Sequence, residues 1–272
     1  MPVFEEGSAV TLETVPERKE SRLLDQYYQD VAHKADKLLA TCFPDVIFPK
    51  NEVIRPVTRL GITHASLDKE KDCYVIEIGE FQDEKDALIE NLMSTHPSPF
   101  SLTVTYGDGT KVLREVEDTI AFCHEKLHEL FCERVAKNNP DYPIQKGAML
   151  MYLLYEGFSV TGEFIVLDLM SRQTTNSKIL ESIQIRKEAR RTFLENNSKL
   201  PSGQMTYATL YAIGEKLVKR MFDEIGMVGF TDFLTNIDAW KAYDTIYPSK
   251  EFDKVEKGSA TDIINDFALA HV

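Results

Sequence analysis

The sequence predicts an α+β protein: a small mixed or antiparallel sheet in the N-terminal part, packed on a mainly helical C-terminal part. Three observations carry this. Runs of β-branched and apolar residues with strand character fall between residues 53 and 105. From residue 114 onward, apolar residues recur at helical spacing. The string Tyr106-Gly107-Asp108-Gly109 is a strong turn signal and marks the change. The chain divides accordingly into a loose N-terminal arm (1–18), an α+β lobe (19–113), a helical lobe (114–236) and a C-terminal helical tail (237–272).

Taken in order, the arm is polar and acidic. A helix is expected from about Ser21 to Thr41, because Leu24, Tyr28, Val31, Ala35, Leu38 and Leu39 share one face. Cys42-Phe43-Pro44 ends it. Strands follow around Val53–Thr63 and Cys73–Phe81, then a short helix over Glu84–Thr95 and a strand over Ser101–Thr105. A long helix is expected from Arg114 to about Asn138, closed by Asn138-Asn139-Pro140. Its apolar stripe is Val116, Ile120, Cys123, Leu127, Leu130 and Phe131. Further helices are expected over Ile144–Ser171 (with a break near Gly162), Ser177–Asn197, Gln204–Ile225 and Phe230–Thr235. The tail carries no clear motif.

The bulk composition excludes several classes. A chain of 272 residues, 43% apolar, can bury a substantial core. A formal net charge of −13 argues against nucleic acid and anionic membranes as partners. No window reaches the roughly 20 apolar residues that a membrane span needs. The opening MPVFEEGSAV lacks the apolar segment of a signal peptide. Cys42, Cys73, Cys123 and Cys132 show no CxxC spacing and read as free thiols, so a cytoplasmic protein is expected. No feature specifies an oligomeric state.

The most informative string is His124-Glu125-Lys126-Leu127-His128. Two histidines four apart on a helix point the same way, since one turn takes about 3.6 residues. Both imidazoles can then share one zinc ion, and Glu125 can act on a water at that zinc. A helical wheel puts both histidines on the flank of the apolar stripe, at the edge of the core. It turns Lys126 and Glu129 away from them, toward what reads as a solvated back of the helix.

Two histidines hold zinc weakly, so a third protein ligand is expected. Glu156 is the first candidate. It sits in the apolar run Met149–Phe158, where a carboxylate is costly to bury without a partner. Gly157 beside it would let another backbone or a ligand come close. Against this stands the ordinary reading, a carboxylate on the exposed side of an amphipathic helix or paired with an arginine. Glu163 is the runner-up, with Gly162 arguing against a shared face, and Asp168 is third.

Three separated features resemble the gluzincin class of zinc metallopeptidases, its small compact members in particular. They are the metal helix over Thr119–His128, the segment Tyr155-Glu156-Gly157-Phe158-Ser159, and the tyrosine–glycine helix carrying Tyr207, Tyr211 and Gly214. The last is followed by Phe222 and Gly226. Together they cover roughly residues 100 to 236, in the family's order. The chain departs from the family pattern at Lys126 and Glu129, which are charged. It departs again at Val160, where many gluzincins carry an acidic residue four after the ligand glutamate.

The resemblance implies a zincin-like fold and a peptidase acting on a peptide or protein substrate. His124, His128 and Glu156 would bind Zn²⁺, and Glu125 would be the general base. A donor for the developing oxyanion is also needed; Tyr211 is the first choice and Tyr207 the second. For both tyrosines the ordinary reading is core packing. Ser101–Thr105 could pair edge-on with an extended substrate. Two readings compete: a catalytically inactive zincin-like binding or scaffold protein, and an unrelated helical protein with a chance motif.

Overall fold

The computed structural model describes residues 15–44, 52–58, 64–68, 73–80, 82–98, 100, 102–106, 109–138 and 149–197, with parts of 208–226. Helix α1 (Val15–Cys42) starts before Ser21, so residues 15–18 are helix and not arm. Pro16 fits there because a helix's first turn has no use for its missing N–H. The charged run Glu17-Arg18-Lys19-Glu20 has no apolar stripe, which hid this turn from periodicity. Leu24, Tyr28, Val31, Ala35, Leu38 and Leu39 are all buried, as the spacing requires. The helix closes where the Phe43 amide donates to Leu39 O at 2.8 Å, and the Phe43 ring drops into the core.

Strands β1 (Glu52–Thr58), β2 (His64–Asp68) and β3 (Cys73–Glu80) form a mixed sheet in the order β1-β3-β2. β1 runs parallel to β3, with Val53 opposite Val75, and β2 runs antiparallel to it, with Ala65 opposite Ile76. β2 was not anticipated, since His64-Ala-Ser-Leu-Asp68 alternates too weakly to signal a strand. Pro56 lies in β1, an edge strand of this sheet, where its missing donor is tolerated. Helix α2 (Gln82–Met93) leads to β4 (Thr103–Thr105) and β5 (Lys111–Leu113), an antiparallel pair around the Tyr106–Gly109 turn. Gly109 takes a positive φ of 85°, the conformation for which glycine suits that turn. β5 is a further unexpected strand, so the sheet character persists up to the first residue of the next helix.

Helices α3 (Arg114–Asn138), α4 (Met149–Gln173) and α5 (Ser177–Asn197) complete the described core. Asn176 caps α5, accepting from the Lys178 amide at 3.0 Å. α4 runs unbroken through Gly162, contrary to expectation. A Cβ at Gly162 would sit 2.2 Å from Leu127 Cδ1, so the glycine serves the close approach of α3 and α4 and not a break. α4 is apolar nearly all round because it is covered on two sides. Leu154, Phe158, Val166, Leu167 and Met170 join the main core, while Val160 packs with Leu194 and Ala212.

The architecture is α+β and mostly helical. Among the described residues, no helix is long and apolar enough to cross a membrane. Tyr207, the short helix expected over 230–235 and the tail from 237 lie outside the described residues.

Candidate metal centre

α3 and α4 bring the histidine pair and Glu156 together. Glu156 Oε2 lies 3.5 Å from His124 Nε2 and 3.3 Å from His128 Nε2. One oxygen thus faces the same nitrogen of both rings, and all three side chains are buried. Glu125 is buried too, and ligand atoms of His124, Glu125 and His128 all fall within 4.8 Å of one another, so these three could hold a metal ion.

The outward nitrogens are held as well. His124 Nδ1 donates to Glu163 Oε1 at 2.7 Å, and Ser159 Oγ lies 2.8 Å from His128 Nδ1. Glu156, Ser159 and Glu163 stand at i, i+3 and i+7 on α4, so one stripe of that helix supplies all three groups. This placement needs α4 to continue through Gly162, the point at which the sequence suggested a break. Glu163 therefore does share the face of Glu156, but it holds the far side of His124 and does not meet both imidazoles. Asp168 lies elsewhere, bonded to Lys187 and largely exposed.

α5 anchors Glu163. Arg186 Nη2 reaches its Oε2 at 3.1 Å, and Arg190 Nη2 its Oε1 at 2.9 Å. Arg186 also donates from Nε to Glu117 Oε2 at 2.6 Å, which accepts from the Tyr106 hydroxyl at 2.5 Å. Nothing in the sequence singles out these two arginines, which stand at i and i+4 on α5. Only the packing of α5 on α3 and α4 turns them inward.

Aromatic rings close the site. Tyr155 stacks on His128 with centroids 3.6 Å apart, and Tyr211, from the helical stretch 211–216, leans on His124 at 5.9 Å. That stretch comes close because both segments carry glycine at the crossing. A Cβ on Gly157 would fall 2.1 Å from Gly214 O, so the Gly157 expectation resolves to a backbone. The Tyr211 hydroxyl makes no hydrogen bond among the described residues. Burial, then the negative charge of Glu156, keeps it protonated well above its ordinary range.

The electrostatics follow from these contacts. Burial opposes a charge on His124, but the carboxylates of Glu156 and Glu163 beside it outweigh that and raise it to about 9. Burial and the adjacent His124 charge push His128 down to about 4. Burial works against the Glu163 carboxylate, yet Arg190 and Arg186 hold it well below the usual carboxylate range.

A further expectation fails. Lys126 and Glu129 are buried, not solvated. α1 covers that side of α3, and Lys126 Nζ pairs with Asp36 of α1 at 2.8 Å. Comparison with family models, with curated proteins and with solved structures finds no match for this chain.

Proposed function

We propose that this protein is a zinc-dependent peptidase of the gluzincin type, with a zincin-like arrangement of helices. His124, His128 and Glu156 would hold the metal. One observation carries this reading. Glu156 Oε2 is buried, accepts no hydrogen bond among the described residues, and faces two imidazole nitrogens. A buried carboxylate oxygen and two imidazole nitrogens that converge on one point suit a single cation, which is the His124 proton in metal-free protein and would be zinc in its place. A His₂Glu donor set suits zinc and leaves a position open. With both Nδ1 atoms engaged by Glu163 and Ser159, both Nε2 atoms are oriented toward that point.

Zinc bound there would polarise a carbonyl and bring a water's pKa down to about 7. Glu125 is the group that would take a proton from the attacking water and pass it to the leaving amine. Tyr211, kept protonated, would offer its O–H to the developing oxyanion. Tyr207, one turn earlier, is the alternative donor. Glu163 fixes the ring of His124 and takes no part in proton transfer.

The deep burial of the histidines favours one second reading, a zincin-like protein that holds metal and binds a partner without hydrolysing it. One experiment separates the two. Zinc-loaded protein is assayed on a library of internally quenched peptides, beside Glu125→Gln. The peptidase reading expects cleavage by wild type and a loss of about 10²–10⁴-fold in the variant, with zinc content unchanged. Full zinc with no cleavage of any peptide would replace it with the second reading.

A further inference from the structure

Arg190 has more donors than Glu163 uses. Its Nη2 reaches Glu163 Oε1 at 2.9 Å, the same oxygen that receives His124 Nδ1 at 2.7 Å. The guanidinium therefore stands one oxygen atom away from a proposed metal ligand. It is clamped by two rings, with Cζ 4.9 Å from the Tyr211 centroid and 5.5 Å from that of Phe193. Tyr211 itself also packs near His124, with ring centroids 5.9 Å apart.

Inside this clamp the Nε of Arg190 is buried and has no acceptor among the described residues. A charged donor enclosed without an acceptor is costly, and native structures rarely keep one without a use. Arg190 is also the more reachable of the two arginines, with 15% of its side chain exposed against 9% for Arg186. Phe193, 37% exposed, is one of only two large apolar side chains exposed among the described residues, and it borders the clamp.

We propose that Arg190, Tyr211 and Phe193 form a substrate subsite for a carboxylate next to an aromatic or large apolar side chain, adjacent to the bond that is cut. This rests on the peptidase reading of the neighbouring site. A planar guanidinium matches a planar carboxylate, and the two rings favour flat groups. Glu125, Glu156 and Glu163 stand close by, so a singly charged carboxylate is tolerated better than a phosphate dianion. Phe193 supplies apolar contact for the side chain of the same residue. A residue that offers both a carboxylate and an apolar side chain is a C-terminal one, so the carboxylate is a chain terminus.

The test reads binding, so it does not depend on turnover. Calorimetry on zinc-loaded, full-length Glu125→Gln uses N-acetyl-phenylalanine, its amide, and the α-amide of N-acetyl-aspartate. The free acid is expected to bind about tenfold or more tighter than its amide, because the amide brings no charge to meet the guanidinium. Arg190→Gln should erase that preference, with zinc content retained. Phe193→Ala, an exposed position that leaves the Glu163 contacts intact, should weaken the acid several-fold and keeps the test valid if Arg190→Gln does not fold. The aspartate α-amide, which has a carboxylate and no apolar side chain, is expected to bind weakly, and binding as tight as that of the free acid would overturn the proposal. Equal binding of acid and amide would overturn the proposal. So would a preference that survives Arg190→Gln, since the carboxylate would then be held by zinc. If wild type cleaves no peptide yet the acid–amide preference and its loss in Arg190→Gln persist, the peptidase reading fails and the subsite stands.

Discussion

Replacing Glu163 with glutamine keeps the shape of the side chain and removes its charge. Three donors converge on this carboxylate: His124 Nδ1 at 2.7 Å, Arg190 Nη2 at 2.9 Å and Arg186 Nη2 at 3.1 Å. The glutamine carbonyl can still accept, but its NH₂ end must face a guanidinium donor. Breaking a buried ion pair costs about 3–5 kcal/mol. Arg186 keeps Glu117 at 2.6 Å, so the lower end of that range is expected for folding stability. Zinc affinity should also fall. Losing the group that orients a ligating histidine costs about 10–100-fold in metal affinity, or about 1.4–2.7 kcal/mol. Two effects act together there: the ring of His124 is less firmly held, and the uncompensated charge of Arg190 makes its Nε2 a poorer donor. The assays are competition with a chromogenic zinc chelator and urea unfolding of the metal-free protein. Glu188→Gln is the control. Glu188 and its partner Arg191 are both exposed, so its loss should stay within about 0.5 kcal/mol and leave zinc binding alone. Zinc binding by Glu163→Gln within about twofold of wild type would refute the role given to Glu163.

Two further predictions follow from the same geometry. Gly157→Ala places a Cβ about where Gly214 O now sits, with a separation of 2.1 Å. The overlap should cost about 1–3 kcal/mol and shift Tyr211 from His124; urea unfolding and tyrosine near-UV dichroism read both, and wild-type stability would count against the crossing. In metal-free protein His124 is raised from 6.5 to about 9, so its contribution to stability is complete below pH 6.5 and disappears as pH rises through 9. Thermal unfolding from pH 6 to 9.5 should therefore show a falling midpoint without zinc and a flatter one with zinc, which takes the place of the proton; identical slopes would contradict this.

Much of the scaffold was legible because its cause is local. The stripes of α1 and α3 and the span of α5 follow from apolar spacing, caps and prolines that act within a few residues. The two imidazoles share a face for the same reason. What could not be read depends on tertiary packing. α4 is covered on two sides, so it has little periodicity, and Gly162 looked like a break when it is where Leu127 fits. Lys126 and Glu129 looked solvated because nothing near them in sequence shows that α1 lies over that side of α3. The groups behind the histidines carried a usable signal: Glu156, Ser159 and Glu163 are polar residues at i, i+3 and i+7 in an otherwise apolar segment. Reading it required taking α4 as continuous. Arg186 and Arg190 carried none, since arginines four apart on a helix usually face water.

The measurement that tests the central claim most directly is the zinc content of protein purified without a histidine tag, by elemental mass spectrometry, for wild type and for Glu156→Ala. The account predicts about one zinc per chain in wild type and a marked fall in the variant, because Glu156 Oε2 faces both histidine Nε2 atoms. Wild-type protein that takes up no zinc even after reconstitution, or a variant that keeps it fully, would contradict the three-ligand site.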